Sequence, residues 1–516
     1  MIIHPTFNEA SIHSSMEPIR LSATFRFRAI ALIASISLAM HCWNEAGKSS
    51  DVARATSRAA HLASAVNDHP KGRTYYLAPG TDGGSDRNSG LSPRSPWLSP
   101  HRQVNCGDVI VAKAGLYSNA NFYTGKWGRV SCPAGNDVAW LACETFDACR
   151  INATSNQGMW VDQSYWGVQG WEITTSPSDL YGACFIAQPN WVAPAEIHHI
   201  IFANDVANGC SQSGFGVVNH GAVSVDYFAV VGSIAYNTSQ GGGTCASGIS
   251  IYQPVQSDSL PGTHLYVAGN FSYANIEPRR CNGTSPTDGE GIIFDTFDGS
   301  QGGLPIPYAA QATAENNIVV GNGGKGIEVT NNARGSSHAA IYINQNTSWG
   351  NLVDPNQAWV GCGEISLNEA FNIHITNNLI STGSATGCSG HPIFAITVAN
   401  GDASDSVNHN FAFGFAGNHT FVHRSGSFLF GSDHIMGRNP QIARARRPRA
   451  PDCRGTSSVP NCMASMVKDF MPRDPRAAGF GYRVPGSGST DNPLFPQWLC
   501  NVDLPTGLIT PSCSNH

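Results

Sequence analysis

The stretch TDGEGIIFDTFDG, residues 287–299, sets four acidic side chains, Asp288, Glu290, Asp295 and Asp298, around the apolar run Ile292, Ile293, Phe294. Only 13% of the chain is charged, so this crowding stands out. Carboxylates held that close repel one another unless a cation or a shared proton relieves them, and functional sites are where such relief is supplied. Binding a cation, gripping an acidic ligand and exchanging protons all suit the group. Lys325, the one lysine between Lys126 and Lys468, adds a candidate base; its plainer role is an ion pair with Glu290.

These residues act together only if the fold brings them together, and a repeat does so. One family of segments reads GFGVV at Gly214, GISIY at Gly248, GIIFD at Gly291, GIEVT at Gly326 and EISLN at Glu364. A second family ends in asparagine, at Asn204, Asn270, Asn317, Asn346, Asn378 and Asn418, with Asn208, Asn275, Asn322 and Asn351 recurring a few residues later. Repeats of this length are the signature of a solenoid, here an all-β coil of parallel strands with loops of unequal length.

Side chains alternate along a strand, which sends Ile292 and Phe294 inward and Ile293 and Asp295 outward. Aligning Ile292 with Ile327 sets Glu290 over Lys325, Ile293 over Glu328 and Asp295 over Thr330. Aligning it with Ile249 sets Asp295 over Tyr252. Strands about 4.8 Å apart then gather Glu290, Asp295, Lys325, Glu328 and Tyr252 on one outer face. The asparagines at successive corners are read as hydrogen-bonded ladders. Tyr252, Tyr273, Phe297, Trp349 and Trp359 lie on or beside the central coils, where rings serve packing and the flat faces of sugars.

The rest of the composition fits that picture. The chain has 516 residues, 55 of them glycine, and a net charge of −6, which excludes the basic footprint of a nucleic-acid binder. Arg20, Arg26 and Arg28 precede the apolar run AIALIASISLAM, which is followed by polar residues; that order reads as a signal peptide, and the run is too short for a membrane span. Met16 offers an alternative start. Residues 1–46 are read as signal and leader, 47–73 as linker, 74–439 as the β-helix and 440–516 as a disulfide-rich cap and tail packed on the helix. Beyond Cys42, fourteen cysteines remain, an even number that argues for disulfides after export. Pairing neighbours gives Cys106–Cys132, Cys143–Cys149, Cys184–Cys210, Cys245–Cys281, Cys362–Cys388, Cys453–Cys462 and Cys500–Cys513, although spacing alone leaves the connectivity open.

TYYLAPGTDGGSDRNSGLSPRSPWLS at Thr74 to Ser99, followed by VNCGDVIVAKAGLYS at Val104 to Ser118, resembles the opening of pectate-lyase-like right-handed parallel β-helix proteins. NNIVVGNGGKGIEV at Asn316 to Val329 is similar to a standard coil of that superfamily, and NPLFPQWL near Asn492 to its closing segment. The resemblance implies a right-handed parallel β-helix and an enzyme acting on polysaccharides, especially acidic ones. The NTD, DD and GHG signatures of polygalacturonase-type hydrolases are missing. Family nine pectate lyases, which the asparagine-glycine coils resemble more, use calcium and a lysine base. Phe294 and Asp295 stand where such a lysine often lies, so that base does not transfer directly.

The expectation is a secreted, monomeric polysaccharide lyase working by β-elimination, with the periplasm as the alternative location and neither a nucleic-acid nor, after signal cleavage, a membrane partner. Asp288, Glu290, Asp295 and Lys325 are the expected catalytic residues. Tyr252, Asp298, Glu328 and His220 are expected to bind substrate, and Asp288, Glu290 and Asp295 to hold Ca2+. A glycoside hydrolase using two carboxylates of the same face and a non-catalytic glycan-binding β-helix are the alternatives.

Overall fold

The computed structural model describes residues 72–133, 137–179, 181–190, 196–218, 224–241, 245–278, 280–281, 287–301, 307–334, 337–354, 362–382, 388, 392–415, 422–442, 453, 456, 459–484, 492–504 and 513. The expected signal peptide, nearly all of the linker, His220 and Trp359 lie outside them.

Among the described residues, three long sheets of 12, 11 and 9 strands dominate, each joining a strand to its equivalent one coil later. Their pairings are parallel throughout, and the chain visits the sheets in turn. This is the expected right-handed parallel β-helix. A parallel pair cannot be closed by a hairpin, so the chain circles a common axis between paired strands.

The alternation read from sequence is the packing observed. Ile249 and Ile251, Ile292 and Phe294, Ile327 and Val329, and Ile365 and Leu367 are all fully buried in one interior column. Each such side chain stabilises the fold by roughly 1.5–3 kcal/mol.

The glycine heading these strands has a steric reason. A Cβ on Gly291 would lie 2.6 Å from the Gly326 carbonyl oxygen and 2.8 Å from Asn322 Nδ2. The coil is too tight at that corner for a side chain.

The asparagine ladders are present with changed membership. Asn270, Asn317, Asn346 and Asn378 each donate an Nδ2 hydrogen bond to the Oδ1 of the next asparagine, at 2.9–3.1 Å, and the ladder ends on Asn410. Asn410 joins the ladder without having been expected there, and the expected Asn418 lies outside the described residues. A second ladder runs Asn275, Asn322, Asn351 and ends on the buried carboxylate of Glu364. Asn208 is outside it and instead donates to Glu172.

Beyond the last coil the chain returns along the outer walls. Phe495, Trp498, Leu499 and Val502 pack on Val111, Trp140 and Tyr266 of the 12-stranded sheet. The single described α-helix, Val459–Val467, and Phe470 cover Ile234, Phe271 and Ile318 of the 11-stranded sheet. The outer face of the nine-stranded sheet keeps a groove. Among the described residues, no helix is long and apolar enough to cross a membrane.

Six of the seven neighbour pairs are disulfides: Cys106–Cys132, Cys143–Cys149, Cys184–Cys210, Cys362–Cys388, Cys453–Cys462 and Cys500–Cys513. The seventh expected pair departs from the pattern, because Cys245 and Cys281 are thiols.

Candidate functional site

Strand Ile292–Asp295 lies between Ile249–Tyr252 and Ile327–Thr330 in the nine-stranded sheet. Asp295 stands opposite Tyr252 on one side and Thr330 on the other, and Ile293 stands opposite Ser250 and Glu328. The register derived from the repeat is therefore the one observed.

Turns at both ends of the strand aim the acids. Gly289, at φ +87°, bends the chain between Asp288 and Glu290, a conformation open to glycine at little cost. The Asp288 backbone N–H donates to Glu277 Oε2 at 2.8 Å, and that of Gly289 to the Ala246 carbonyl at 2.8 Å. At the other end Thr296 takes φ +54°, as Gln253 and Asn331 do at the matching corners. Its hydroxyl donates to Asp295 Oδ1 at 2.6 Å.

The acidic residues divide into a wall layer and a groove layer. Glu290 is fully buried, accepting from Ser247 Oγ at 2.9 Å. Lys325 Nζ sits 3.4 Å from Glu290 Oε1 and 3.2 Å from Glu328 Oε2. Burial alone lowers a lysine's pKa, but Glu328, Glu290 and Asp288 outweigh it and hold Lys325 above its ordinary value. That setting keeps the ammonium, the opposite of what a lysine base needs. Burial pushes Glu290 up, with the Lys325 charge opposing the shift.

Asp288 and Asp295 face the groove, together with Tyr252, Ser250 and Gln301. Burial, reinforced by Glu328 and Asp298, raises the Asp295 pKa to about 6 against the pull of the Thr296 hydroxyl. Burial and then Glu290 raise Asp288 well above the usual carboxylate range. Tyr252 is pushed up to about 12, by burial and by Asp295. Asp298 holds a turn through Ser300 N–H, at 2.9 Å, and is not among the groove residues.

The far end of the groove was not anticipated. Tyr123, Trp160 and Tyr181 line it beside Asn156, Gln157 and Gln188. Trp160 belongs to Met159–Val161, four strand positions from Ile292–Asp295, roughly 19 Å at about 4.8 Å per step. GMWV at Gly158 was the available signal: a glycine before alternating apolar residues, matching the repeat in form. Of the aromatics named from sequence, Tyr252 reaches the groove; Phe297 is buried in the interior, and Tyr273 and Trp349 pack with the C-terminal tail.

The expected calcium site does not assemble. Calcium takes six to eight oxygen ligands around one point. Among the described residues, the grouping of three ligand atoms within 4.8 Å of one another is Cys245, Cys281 and Asp288, not Asp288 with Glu290 and Asp295. Glu290 is instead engaged by Lys325 and Ser247. The residues present do not fit calcium.

No family model matches the chain, and no curated protein matches it. Solved structures do. The pectate lyase Pel9A is 15% identical over 61% of this chain and 77% of its own, with a TM-score of 0.35. The mannuronan C-5 epimerase AlgE4 A-module of Azotobacter vinelandii is 15% identical over 63% and 88%, at 0.30. The GH136 lacto-N-biosidase of Eubacterium ramulus is 11% identical over 70% and 68%, at 0.37. At these values the likeness bears on no residue of the site, and the fold rests on the strand pairing itself.

Proposed function

We propose that this chain is a carbohydrate-active enzyme that cleaves glycosidic bonds of a polysaccharide lying along the groove of the nine-stranded sheet. The observation that carries the reading is Asp295. It is a carboxyl group on the groove floor whose pKa of about 6 suits a general base near neutral pH. Asp288 supplies the second carboxyl on the same lining, and the rings of Tyr123 and Tyr181, the former packed on the buried Trp160, offer apolar faces for sugars at the far end.

Hydrolysis is the reaction best supported. The residues described in the groove lining include amides, hydroxyls, rings and two carboxyls, with no lysine, arginine or histidine. A neutral glycan meets no repulsion there, whereas a polyuronate carries charge of the same sign as Asp295. In this scheme Asp295 takes a proton from the attacking water, and Asp288 gives one to the departing glycosidic oxygen. Lys325 neutralises the carboxylates behind the floor.

β-Elimination is the second reading, and Tyr252 favours it. Tyr252 pairs with Asp295 in the strand register and shares the groove lining with it; in this scheme its phenol protonates the leaving oxygen after Asp295 removes the proton α to a uronate carboxyl. The six disulfides belong with an oxidising compartment and support action outside the cytosol.

Purified protein incubated with neutral and acidic polysaccharides tests both. Hydrolysis yields new reducing ends, elimination yields an unsaturated, ultraviolet-absorbing sugar, and a binding protein yields neither. Asp295→Asn is expected to lower the rate by about a hundredfold or more without changing the circular dichroism spectrum. Full activity in that variant overturns the assignment.

A further inference from the structure

At the edge of the groove, Cys245 lies in the segment entering Ile249–Tyr252, and Cys281 in the loop entering Ile292–Asp295. Their sulfurs and an Asp288 carboxylate oxygen all lie within 4.8 Å of one another. A fourth donor adjoins them: Glu277 Oε2 accepts from Cys281 Sγ at 3.1 Å and from the Asp288 N–H at 2.8 Å. The two segments are tied together, since Ser247 Oγ donates to Glu290 and the Gly289 N–H to the Ala246 carbonyl. Cys245 is exposed and Cys281 buried, so the cluster has one open side.

We propose that Cys245, Cys281 and Asp288 form a binding site for a thiophilic divalent cation of the zinc class, and that its occupation withdraws Asp288 from the groove and switches catalysis off. The donor set decides the class of ion. Two sulfurs with one or two carboxylate oxygens match the tetrahedral preference of zinc, with metal–sulfur bonds of about 2.3 Å and metal–oxygen bonds of about 2.0–2.2 Å, and are foreign to calcium and magnesium. Donors at those bond lengths stand roughly 3.3–3.8 Å apart, within the spacing observed. Binding replaces two S–H bonds and the Asp288 O–H bond by bonds to the metal and releases three protons to solvent; no electrons move. The binding part rests on the cluster alone, and the inhibitory part also on Asp288 acting in the groove.

Cadmium titration of the intact, unreduced chain separates the two. One equivalent is expected to give a thiolate-to-metal ultraviolet band, absent in Cys281→Ser and, should that buried variant fail to fold, in Cys245→Ser. Excess zinc is expected to lower wild-type activity about a hundredfold, reversibly with a chelator, and to leave Cys281→Ser at its metal-free rate. No band in the wild type, a band that survives in either variant, or a non-reducing peptide map joining Cys245 to Cys281 as a disulfide overturns the site. A band with no change in activity leaves the site standing and overturns the role of Asp288. Absence of any glycan cleavage overturns the enzymatic reading and leaves the binding result to decide the site.

Discussion

Asp295 and Lys325 show how burial and neighbours assign roles to groups that sequence can only list. Asp295 is raised to about 6 chiefly by burial, so an activity needing its ionised form rises with pH through about 6. The Thr296 hydroxyl restrains that shift by a hydrogen bond to the carboxylate. Thr296→Val keeps the shape and removes the donor, and is expected to move the acid limb of the pH–rate profile upward by roughly one pH unit. Lys325 is held between two buried carboxylates. Removing one partner of such a cluster leaves uncompensated charge, at a cost of about 3–5 kcal/mol. Lys325→Met is accordingly expected to lower the denaturant midpoint by a corresponding amount; an unchanged midpoint with lost activity returns the lysine to the chemistry. The types and the crowding of these residues were legible, but the thiols beside Asp288 were not, because an even cysteine count pointed to a seventh disulfide.

At the level of strands and corners, the inward alternation of each strand was readable because a period of two survives any loop length. Corners were harder. The left-handed backbone at Gln253, Thr296 and Asn331 leaves no composition signal in three different residue types, and the heading glycine looked like ordinary punctuation until the neighbouring coil supplied the clash. Ladder membership depended on where each coil closes, which is why Asn410 belongs and Asn208 does not. Asn317 is fully buried, and its side chain serves Asn270, Asn346 and the Val267 carbonyl. Asn317→Ala strands those partners and is expected to cost about 2–4 kcal/mol, read as a lower melting temperature, while Asn208→Ala, outside the ladder, is expected to change it by less than about 1 kcal/mol.

Across the whole molecule, several carboxyls are raised by burial: Asp295 and Asp405 to about 6 and Glu364 to about 7. Each binds its proton more tightly folded than unfolded. Their stabilising contribution is complete below the unfolded pKa near 4 and is lost as pH climbs through about 6 to 7. Thermal melts are expected to show a higher midpoint at pH 5 than at pH 8, and a flat profile across that window would mean the carboxyls ionise normally. The C-terminal segment was expected as a cap and tail packed on the β-helix; its described residues run along the 12- and 11-stranded sheets, with Trp498 and Phe470 packed on them. Which walls a tail covers is set by long-range complementarity, and its own sequence carries no record of the partner surface.

The amino-acid sequence by itself determined the coil, the column of inward side chains and the register that sets Asp295 beside Tyr252, because all three follow from local periodicity repeated along one axis. Only the tertiary structure decided which acids face the groove, that Lys325 is clamped rather than available, that rings from earlier coils join the site, and that two cysteines meet Asp288. Those outcomes depend on loop paths and on the fields of groups distant in the chain, and no periodic signal encodes either.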